Sequence, residues 1–510
     1  MSRNATARSI IVPPPVQGWN TRDPISQMDP LYAVEATNFF SLGNTVDLRK
    51  GYTVFATGRA TFSFQSIFEL SRQNGTRHLI GIDSGNRAYN ITAGGAGVDL
   101  SNAGAFPIRS IATATNFRNR IFFKGIDDTA NPVYLWDGIT ATLTAAGFVG
   151  PGGFDLALEN PEVYRSRLYF IGSNSASIWY GGVDAITSPP DLIQFDVQSV
   201  LSLGGRLRFA GGMAKQGDTN ANYFVMISDQ GEVLLYSGDY PGSATWQLVG
   251  TFFMPPPISP RSFIRYGANL AIMTWEGIVL LSDVISSVGQ KLTFLSEKIN
   301  PTFKETLLGA SSANQLLCSG VYYPRGSCLL FNIYDNTLSD FTPFVYSTAN
   351  GSWWKWQFTD LLPLHWTLFS NELYSCSSGN STAIASKHDN GYFDENPASI
   401  GTARNRTVVC RPAYNYFGDP SSVKRIGMVQ PYIYQSEGLS LTIGADMDFA
   451  DTTPTTTVTD ATDTAYKLYT PVIPMVGVGS ACSMRIEQTV TTKRMSLQAM
   501  KITYESGGAY

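Results

Sequence analysis

The chain of 510 residues carries few charges and no basic cluster, which limits what its surface can bind. Charged residues make up 15% of it and the net charge is −4, against roughly 25% charged residues in an average soluble protein. The 36 basic residues are dispersed. This excludes a protein that grips DNA through a basic face, but not one through which DNA passes. The length suggests two or three packing units, unless repeats build one large unit.

Residues 1–61 are predicted to form an N-terminal arm with a short helix and a hairpin. Asp29 is a suitable N-cap, and Pro30 suits the first helical position because its missing N–H has no helical partner there. Further positions follow at helical spacing, namely Leu31, Val34 and Asn38 or Phe39. Alternation around Lys50 and Gly51 predicts the hairpin; the alternating residues are Val46, Leu48, Tyr52 and Val54.

Repeated pairs of strands dominate residues 62–396. The turns in "SDQGE" and "TWEGI" are typical of tight hairpins. The units begin 42 to 58 residues apart, at Arg77, Asn119, Ser166, Tyr223, Asn269 and Ser327. Four-stranded propeller blades recur about every 40–50 residues, so we interpret this region as a β-propeller of six blades. Seven blades, or stacked sandwiches, are the alternatives. An N-terminal strand is expected to close the propeller against its last blade, which removes an exposed edge.

Residues 397–510 change character and are predicted to form a separate small β-domain, such as a sandwich. Apolar stretches that read as strands are separated by turns such as the Gly-Asp-Pro at residues 418–420. The Thr-rich segment from Asp451 to Asp463 has little core content and predicts a loop. The sequence therefore predicts an all-β chain that consists of an arm, a propeller and a small C-terminal β-domain.

No group of residues predicts a catalytic, cofactor or metal site. Phosphate-loop, dinucleotide and common hydrolase motifs are absent. None of the three histidines has a partner at zinc-ligand spacing; they are His78, His365 and His388. Asp446, Asp448 and Asp451 resemble part of a calcium loop, but its central glycine and terminal glutamate are missing. We therefore expect neither an enzyme nor a bound cofactor.

Two features keep a glycan-active propeller as an alternative. Glu162, Glu232 and Glu276 lie near predicted turns and could pair across a propeller mouth. The segment 237–246, "SGDYPGSATW", approximates the Asp-box turn of sialidases, in which an Asp accepts backbone N–H groups and a Trp packs below it. This motif occurs once, and we find no arginine trio for a substrate carboxylate.

The densest aromatic cluster is "SWWKWQF". Strand alternation predicts that Trp354 and Trp356 share one face and that Trp353 lies on the other. Packing between blades is the simplest interpretation, and a sugar-stacking platform or a subunit interface are the alternatives.

The cysteines and the N-terminus predict where the chain is made. The five cysteines include no C-x-x-C pair, so we expect reduced, buried thiols in a protein made in a cytosol. A three-residue apolar stretch before the first prolines is too short for a signal peptide. No run approaches 18 apolar residues, so we expect no membrane insertion.

The stretch from Gly18 to Tyr52 resembles the N-terminal signature of a family of structural proteins from short-tailed bacteriophages. In that family a Gly-x-Asn-x-Arg-Asp segment, a Met-x-Pro pair, an Asn-Phe-Phe and a Leu-Arg-x-Gly-Tyr follow in this order. The matching positions are Gly18, Asn20, Arg22, Asp23, Met28, Pro30, Asn38, Phe39, Phe40, Leu48, Arg49, Gly51 and Tyr52. The similarity continues in "RSRLYFIGSNSASIWY", "ISDQGEVLLYSGDYPGSATWQLVG" and "AYNYFGDPSSVKRI" and so covers most of the chain.

The resemblance implies a tail component of the nozzle or DNA-stabilisation type. Such proteins are β-propellers in a ring, usually of six copies, at the distal tail below the portal and adaptor rings. They retain packaged DNA and form part of its ejection channel. The implied partners are further copies, adaptor and tail proteins, and double-stranded DNA that passes without being recognised. Assembly would take place in the bacterial host cytoplasm. The Thr-rich segment is a departure from the family pattern.

We expect the opening stretch to serve assembly and not chemistry. Its assembly signature consists of Trp19, Asn20, Arg22, Asp23, Asn38, Phe39, Phe40, Arg49 and Tyr52. Arg22 and Asp23 are expected to form a salt bridge, either locally or between subunits. A glycan-binding or glycan-cleaving propeller and a scaffold propeller are the alternative functions, because propellers host all three.

Overall fold

The computed structural model describes most of the chain, and all structural statements below concern those parts. The described residues are 7–186, 192–214, 222–287, 290–336, 338, 340–359, 361–379, 382–435, 440–459, 467–490 and 492–509. Strands dominate these ranges, and the helices are three short α-helices and two 3-10 helices at Ile25–Gln27 and Asn102–Gly104. The prediction of an all-β chain is confirmed.

Six strands precede the first blade of the propeller. They are β1 (Ala7–Val12), β2 (Gly18–Trp19), β3 (Tyr32–Thr37), β4 (Phe39–Phe40), β5 (Val46–Leu48) and β6 (Tyr52–Ala60).

Five sheets follow as separate blades, each an antiparallel meander. The first contains β7 (Phe64–Ser71), β8 (Arg77–Asp83), β9 (Ala88–Asn90) and β11 (Val98–Asp99), while β10 (Gly95–Ala96) pairs with β6. The second contains β12 (Ala112–Phe117), β13 (Arg120–Gly125), β14 (Tyr134–Trp136) and β15 (Thr144–Ala145). The third contains β16 (Leu158–Tyr164), β17 (Arg167–Gly172), β18 (Ser177–Tyr180) and β19 (Ile193–Asp196). The fourth contains β20 (Leu207–Ala214), β21 (Asn222–Ser228), β22 (Glu232–Ser237) and β23 (Gln247–Phe253). The fifth has three strands, β24 (Phe263–Tyr266), β25 (Asn269–Thr274) and β26 (Gly277–Leu280).

Three helices separate these blades from two strand sets that belong to larger sheets. The helices are α1 (Leu281–Ser286), α2 (Asn300–Leu307) and α3 (Ser312–Leu317). The first strand set is β27 (Ser319–Tyr323), β28 (Cys328–Asp335), β29 (Asp340–Ser347) and β30 (Trp353–Lys355). The second set is β31 (Leu362–Phe369), β32 (Glu372–Gly379) and β33 (Thr382–His388), followed by β34 (Asp394–Glu395) and β35 (Ala403–Arg404).

The remaining strands form most of the C-terminal region. They are β36 (Arg406–Pro412), β37 (Ser422–Gln435), β38 (Ser440–Met447), β39 (Thr456–Thr459), β40 (Lys467–Tyr469), β41 (Ile473–Gly479), β42 (Cys482–Val490) and β43 (Met495–Ala509). In the Thr-rich segment, β39 pairs with β38, whereas residues 460–463 lie outside the described residues. Strands β37, β41 and β43 form a sheet with β1 and β5 of the arm.

The propeller has five separate blades, so the predictions of six and of seven blades are wrong. The two other strand sets complete the ring, because β27 packs against β24, and β31 packs against β27 and β7. They are not separate sheets. Strands β2, β3 and β36 extend the sheet of β27–β30, and β6 extends the sheet of β31–β33. Sequence spacing could not predict these additions, since the added strands come from distant parts of the chain.

Strand β6 closes the ring, as predicted from the sequence. It pairs antiparallel with β33 from Thr382↔Ala60 to His388↔Tyr52. Because β33 would otherwise be the edge of its sheet, this pairing covers its free N–H and C=O groups. A strand from the arm therefore joins the first and last parts of the propeller.

The arm contains neither the predicted helix nor the predicted hairpin. The Asp29 side chain accepts a hydrogen bond from the Leu31 N–H (2.8 Å), which makes a turn, and the chain then enters β3. Strand β3 lies between β2 and β36, so pairing on both sides outweighs the local helical pattern. Residues on the two sides of Gly51 join different sheets, because β5 pairs with β43 and β6 with β33.

Candidate functional site

Arg49 of the assembly signature is the centre of a buried joint. Its guanidinium is bidentate to Asp394, with Nη1–Oδ1 at 2.9 Å and Nη2–Oδ2 at 2.5 Å, and neither side chain is more than 1% exposed. Its Nε also donates to Asn38 Oδ1 (2.7 Å), and its Nη2 to the Gln357 carbonyl (3.0 Å). Such fork-shaped pairing fixes geometry as well as charge. The joint therefore connects the arm to the end of the propeller.

Asn38 holds the second side of the joint. Its backbone has φ 63°, a conformation that asparagine adopts more readily than most residues. Its Nδ2 donates to the Thr407 carbonyl (2.7 Å), and its Oδ1 also accepts the Gln357 N–H (2.9 Å). One side chain therefore bridges β36 and the segment after β30.

A second buried arginine lies against this joint. Arg406 donates to the carbonyls of Arg49 (2.7 Å), Tyr392 (3.1 Å) and Lys493 (3.2 Å). Burial lowers the pKa of Arg406 to about 10. Gly51 is needed beside it, because a Cβ there would lie 1.7 Å from the Phe393 carbonyl oxygen. Contacts with main-chain carbonyl groups therefore fix the positions of Arg406 and Gly51 in the joint.

The aromatic members of the assembly signature are packing groups. Phe39 is fully buried, and Phe40 packs edge-on against Trp354 and Trp356. Tyr52 packs against Phe358 at 5.6 Å between ring centroids.

The tryptophan cluster follows the predicted alternation. Trp354 and Trp356 both contact Phe40, whereas Trp353 packs against Phe331 and Tyr346 on the other face of β30. Trp353 and Trp354 are buried in the core of this chain. They therefore offer no sugar-stacking surface.

The other signature members form a separate cluster near the start of α2. Asn20 donates to Asp23 Oδ2 (2.8 Å), and Lys298 forms an ion pair with the same carboxylate (2.7 Å). Lys298 and Asn20 lower the pKa of Asp23 by hydrogen bonding to it. Trp19 packs edge-on against Phe344.

The expected local salt bridge between Arg22 and Asp23 does not form. Arg22 pairs with Glu297 and Asp23 with Lys298. The two adjacent charges are held by two adjacent opposite charges from a distant segment. No pattern within the arm could have predicted these partners.

The histidines occupy structural positions. His365 Nδ1 accepts the Ile67 N–H (3.2 Å), and His388 Nε2 shares a hydrogen bond with the Ser375 hydroxyl (2.7 Å). Burial holds the pKa of both imidazoles well below the usual value, with Arg261 and Arg49 adding to the effect at His365 and His388 respectively. The third histidine, His78, packs edge-on against a tryptophan ring of the second blade.

Replacing His365 and His388 together with glutamine is expected to weaken the acid sensitivity of the fold. Both imidazoles stay neutral when folded but bind protons below about pH 6.5 when unfolded, so stability falls as the pH drops below 6.5. Between pH 7 and pH 5, the free energy of unfolding of the wild type, measured in urea, should fall by up to about 2 kcal/mol per histidine more than that of the variant. Burial raises the pKa of Asp340 to about 6, so this carboxyl makes the folded state more stable as the pH falls. Both proteins contain Asp340, so its effect cancels when they are compared. An equal loss of unfolding free energy in the two proteins between pH 7 and pH 5 would contradict the prediction.

The three candidate catalytic carboxylates do not form a pair. Glu162 forms an ion pair with Arg265 (2.8 Å). Glu232 is fully buried and accepts the N–H groups of Ser202 and Leu203, each at 2.9 Å. The third, Glu276, is exposed in the turn between β25 and β26. The suggested pairing across a propeller mouth is therefore wrong.

The Asp-box-like turn keeps only part of its predicted geometry. Asp239 accepts from the Thr245 hydroxyl (3.3 Å) and from Arg165, and none of the described residues donates a backbone N–H to its side chain. Trp246 does pack into the third and fourth blades, stacking on Tyr236 at 5.1 Å. The turn is a local structural element of this blade.

The aspartates that resemble a calcium loop bind protein groups instead. Asp446 and Asp451 both pair with Arg411, and Asp451 also pairs with Arg485. Asp448 accepts two backbone N–H groups from the turn before β42. Among the described residues, no cluster of three or more His, Cys, Asp or Glu could hold a metal ion.

Arg261 has a role that sequence reasoning missed. It precedes β24 of the fifth blade, yet its Nε and Nη2 donate to the Ala112 carbonyl (3.1 and 2.7 Å) and its Nη1 to the Gln65 carbonyl (3.0 Å). Its Nη2 also contacts Ser66 Oγ. These partners lie on the inner strands of the first and second blades, so the side chain connects the start of the fifth blade with both of them. Burial lowers its pKa to about 10.

The five cysteines are buried and none is in a disulfide, as predicted. Burial raises the pKa of each thiol; the cysteines are Cys318, Cys328, Cys376, Cys410 and Cys482. Across the described ranges, no helix is both long and apolar enough to cross a bilayer.

Comparison with known proteins gives similarity in fold alone. No protein-family model and no curated protein matches the sequence. Saccharomyces cerevisiae Sqt1 is similar over 70% of this chain and 100% of its own, with 10% identity and a TM-score of 0.38. BBS1N, solved in complex with ARL6DN, is similar over 42% and 59%, with 12% identity and a TM-score of 0.27. A Bacillus subtilis family 43 arabinoxylan arabinofuranohydrolase is similar over 89% and 95%, with 10% identity and a TM-score of 0.26. These values are too low to carry an argument about function.

Proposed function

We propose that this chain is a structural virion protein at the distal tail of a short-tailed phage. Copies of it would form a ring, of six by the family resemblance, that contacts adaptor and tail proteins. The ring would retain packaged DNA and contribute to its ejection channel. The proposal begins from the ordered assembly signature and from the similarity that extends over most of the chain.

The Arg49 joint is the observation that carries this proposal. Arg49 borders a small cavity of about 270 Å³, but its guanidinium is engaged by Asp394 and by Asn38, and Asn38 and Phe39 are buried. They fix the arm to β34 at the end of the propeller and to β36 of the C-terminal region. A protein that must withstand the pressure of packaged DNA needs such joints between its first and last elements.

The buried position of Arg261 supports a channel between copies instead of one through a single chain. Arg261 connects the start of the fifth blade with the inner strands of the first and second blades. A duplex would have to break these contacts to pass through one propeller. Ion pairs engage several exposed arginines, such as Arg118 with Asp184, which suits a surface that DNA passes without being held.

Early termination of this gene in the parent phage tests the proposal. An amber codon near the start, in a non-suppressing host, should give filled heads that leak DNA and lack the distal tail in electron micrographs. Growth in a suppressing host provides the matched control and should restore complete tails. Complete tails with full genomes in the non-suppressing host would contradict the proposal.

A further inference from the structure

An uncharged cleft of about 830 Å³ lies between the fourth and fifth blades. It exists because the fifth blade has three strands and α1 begins directly after β26, where another blade would have a fourth strand. Apolar and aromatic side chains provide most of its wall, among them Met213, Tyr223, Phe252, Tyr266, Ile285 and Tyr322. None of the described residues that line the cleft is charged. Its volume falls within the range of about 300–1,000 Å³ typical of ligand pockets.

Among the described residues that line the cleft, the polar side chains besides Asn269 carry only hydroxyl groups, on Tyr223, Tyr266, Tyr322, Ser282 and Ser286. Within the described part of the lining, Asn269 is the one amide side chain, and it is already engaged. Its Nδ2 donates to Ser282 Oγ (2.7 Å), and its Oδ1 accepts the N–H groups of Leu270 (2.8 Å) and Ser282 (3.1 Å). A peptide backbone placed here would lose hydrogen bonds to water with little replacement, which is costly. A hydrocarbon chain has no such groups to satisfy.

A second cavity of about 380 Å³ continues from one end of the cleft. The two share Met213 and the turn of residues 267–269, and the second adds Arg165 and Arg265. Arg265 donates to the Gly212 carbonyl (2.9 Å) and to Glu162 (2.8 Å), yet its side chain is still 51% exposed. Arg165 is 37% exposed and pairs with Asp239. Two partly exposed guanidinium groups, each with one carboxylate partner, therefore stand at one end of an apolar cleft.

We propose that these two cavities together bind an amphiphile with one acyl chain and an acidic head. The chain would lie in the uncharged cleft, and the head would contact Arg165 and Arg265. A carboxylate or phosphate head satisfies the same guanidinium chemistry. This site is independent of the proposed ring function, because it needs neither DNA nor a second copy.

Titration of the full-length protein with cis-parinaric acid, a fluorescent fatty acid, tests the site. We expect saturable binding at one site per chain, at least tenfold weaker for its uncharged methyl ester. Ala268→Trp should weaken binding at least tenfold, because Ala268 is exposed in the shared turn and an indole there would fill the cleft. The matched control is Ala141→Trp, at an exposed position of the second blade, which should bind as the wild type does.

Arg265→Gln tests the head contact separately. It should weaken binding of the acid about tenfold and leave the methyl ester unchanged, whereas Arg118→Gln, at another exposed ion pair, should alter neither. Displacement by oleate but not by lysophosphatidylglycerol would assign a free fatty acid, and the reverse would assign a lipid headgroup. Unsaturable binding, equal affinity for acid and ester, or full binding by Ala268→Trp would each overturn the proposal.

Discussion

Replacing Arg49 with methionine is expected to lower the free energy of unfolding by about 3–5 kcal/mol. The substitution leaves Asp394 as an unpaired carboxylate in a site that is closed to water. It also removes the donor to Asn38 Oδ1 and to the Gln357 carbonyl. Because the joint connects the arm to the last propeller sheet, we expect β6 to lose protection from hydrogen exchange first.

Urea unfolding of the purified chain measures this effect. Arg118→Met is the control, since Arg118 forms an ion pair with Asp184 in which both side chains are 43% exposed. Exposed pairs contribute about 0–1 kcal/mol, so this variant should unfold close to the wild type. The double variant Arg49→Met, Asp394→Leu should recover part of the loss, because it removes the unpaired charge. A loss below 1 kcal/mol in Arg49→Met would show that the joint does not hold the arm.

Replacing Arg261 with methionine is expected to cost about 2–4 kcal/mol. Two opposing effects decide the value. Removing the buried guanidinium also removes the cost of keeping its charge away from water. The same burial lowers the pKa of Arg261 to about 10. The carbonyls of Gln65 and Ala112 then lose their donors inside the propeller, at about 1–3 kcal/mol for each unsatisfied group. We expect the lost hydrogen bonds to dominate, because methionine fills the volume but donates nothing.

Hydrogen exchange together with urea unfolding distinguishes this effect from general destabilisation. Amides of β7 and β12, on the two bridged inner strands, should exchange faster in Arg261→Met, while those of β38 and β42 should change least. Arg325→Met is the control, because Arg325 is 65% exposed and pairs with Glu372 at 3.4 Å. Unchanged stability with unchanged exchange at β7 and β12 would mean that these inner strands are held by other contacts.

Local patterns were sufficient wherever the structure is made by neighbouring residues. The "SDQGE" and "TWEGI" turns join β21 to β22 and β25 to β26, as predicted, since a tight turn and the two strands beside it lie within one short segment. The alternation at Trp353 and Trp354 is correct for the same reason. Composition and cysteine spacing likewise indicated an all-β chain with buried thiols.

Partners far apart in the chain decided the rest. The helical pattern after Asp29 became strand β3, because pairing with β2 and β36 satisfies its backbone on both sides. Arg49 and Asp394 are 345 residues apart, and Arg22 and Asp23 find their partners at Glu297 and Lys298. The blade count changed because strands from both ends of the chain join two of the sheets.

The sequence by itself thus determined the fold class, the local hairpins and the closing role of an arm strand, all of which follow from periodicity and turn chemistry. The tertiary structure alone decided which charges are buried together, how many blades stand as separate sheets and that Arg261 connects three of the blades. The physical reason is that burial and ion pairing depend on which surfaces meet in three dimensions. Hydrophobic periodicity shows that a strand has a buried face but not which distant strand or side chain will cover it.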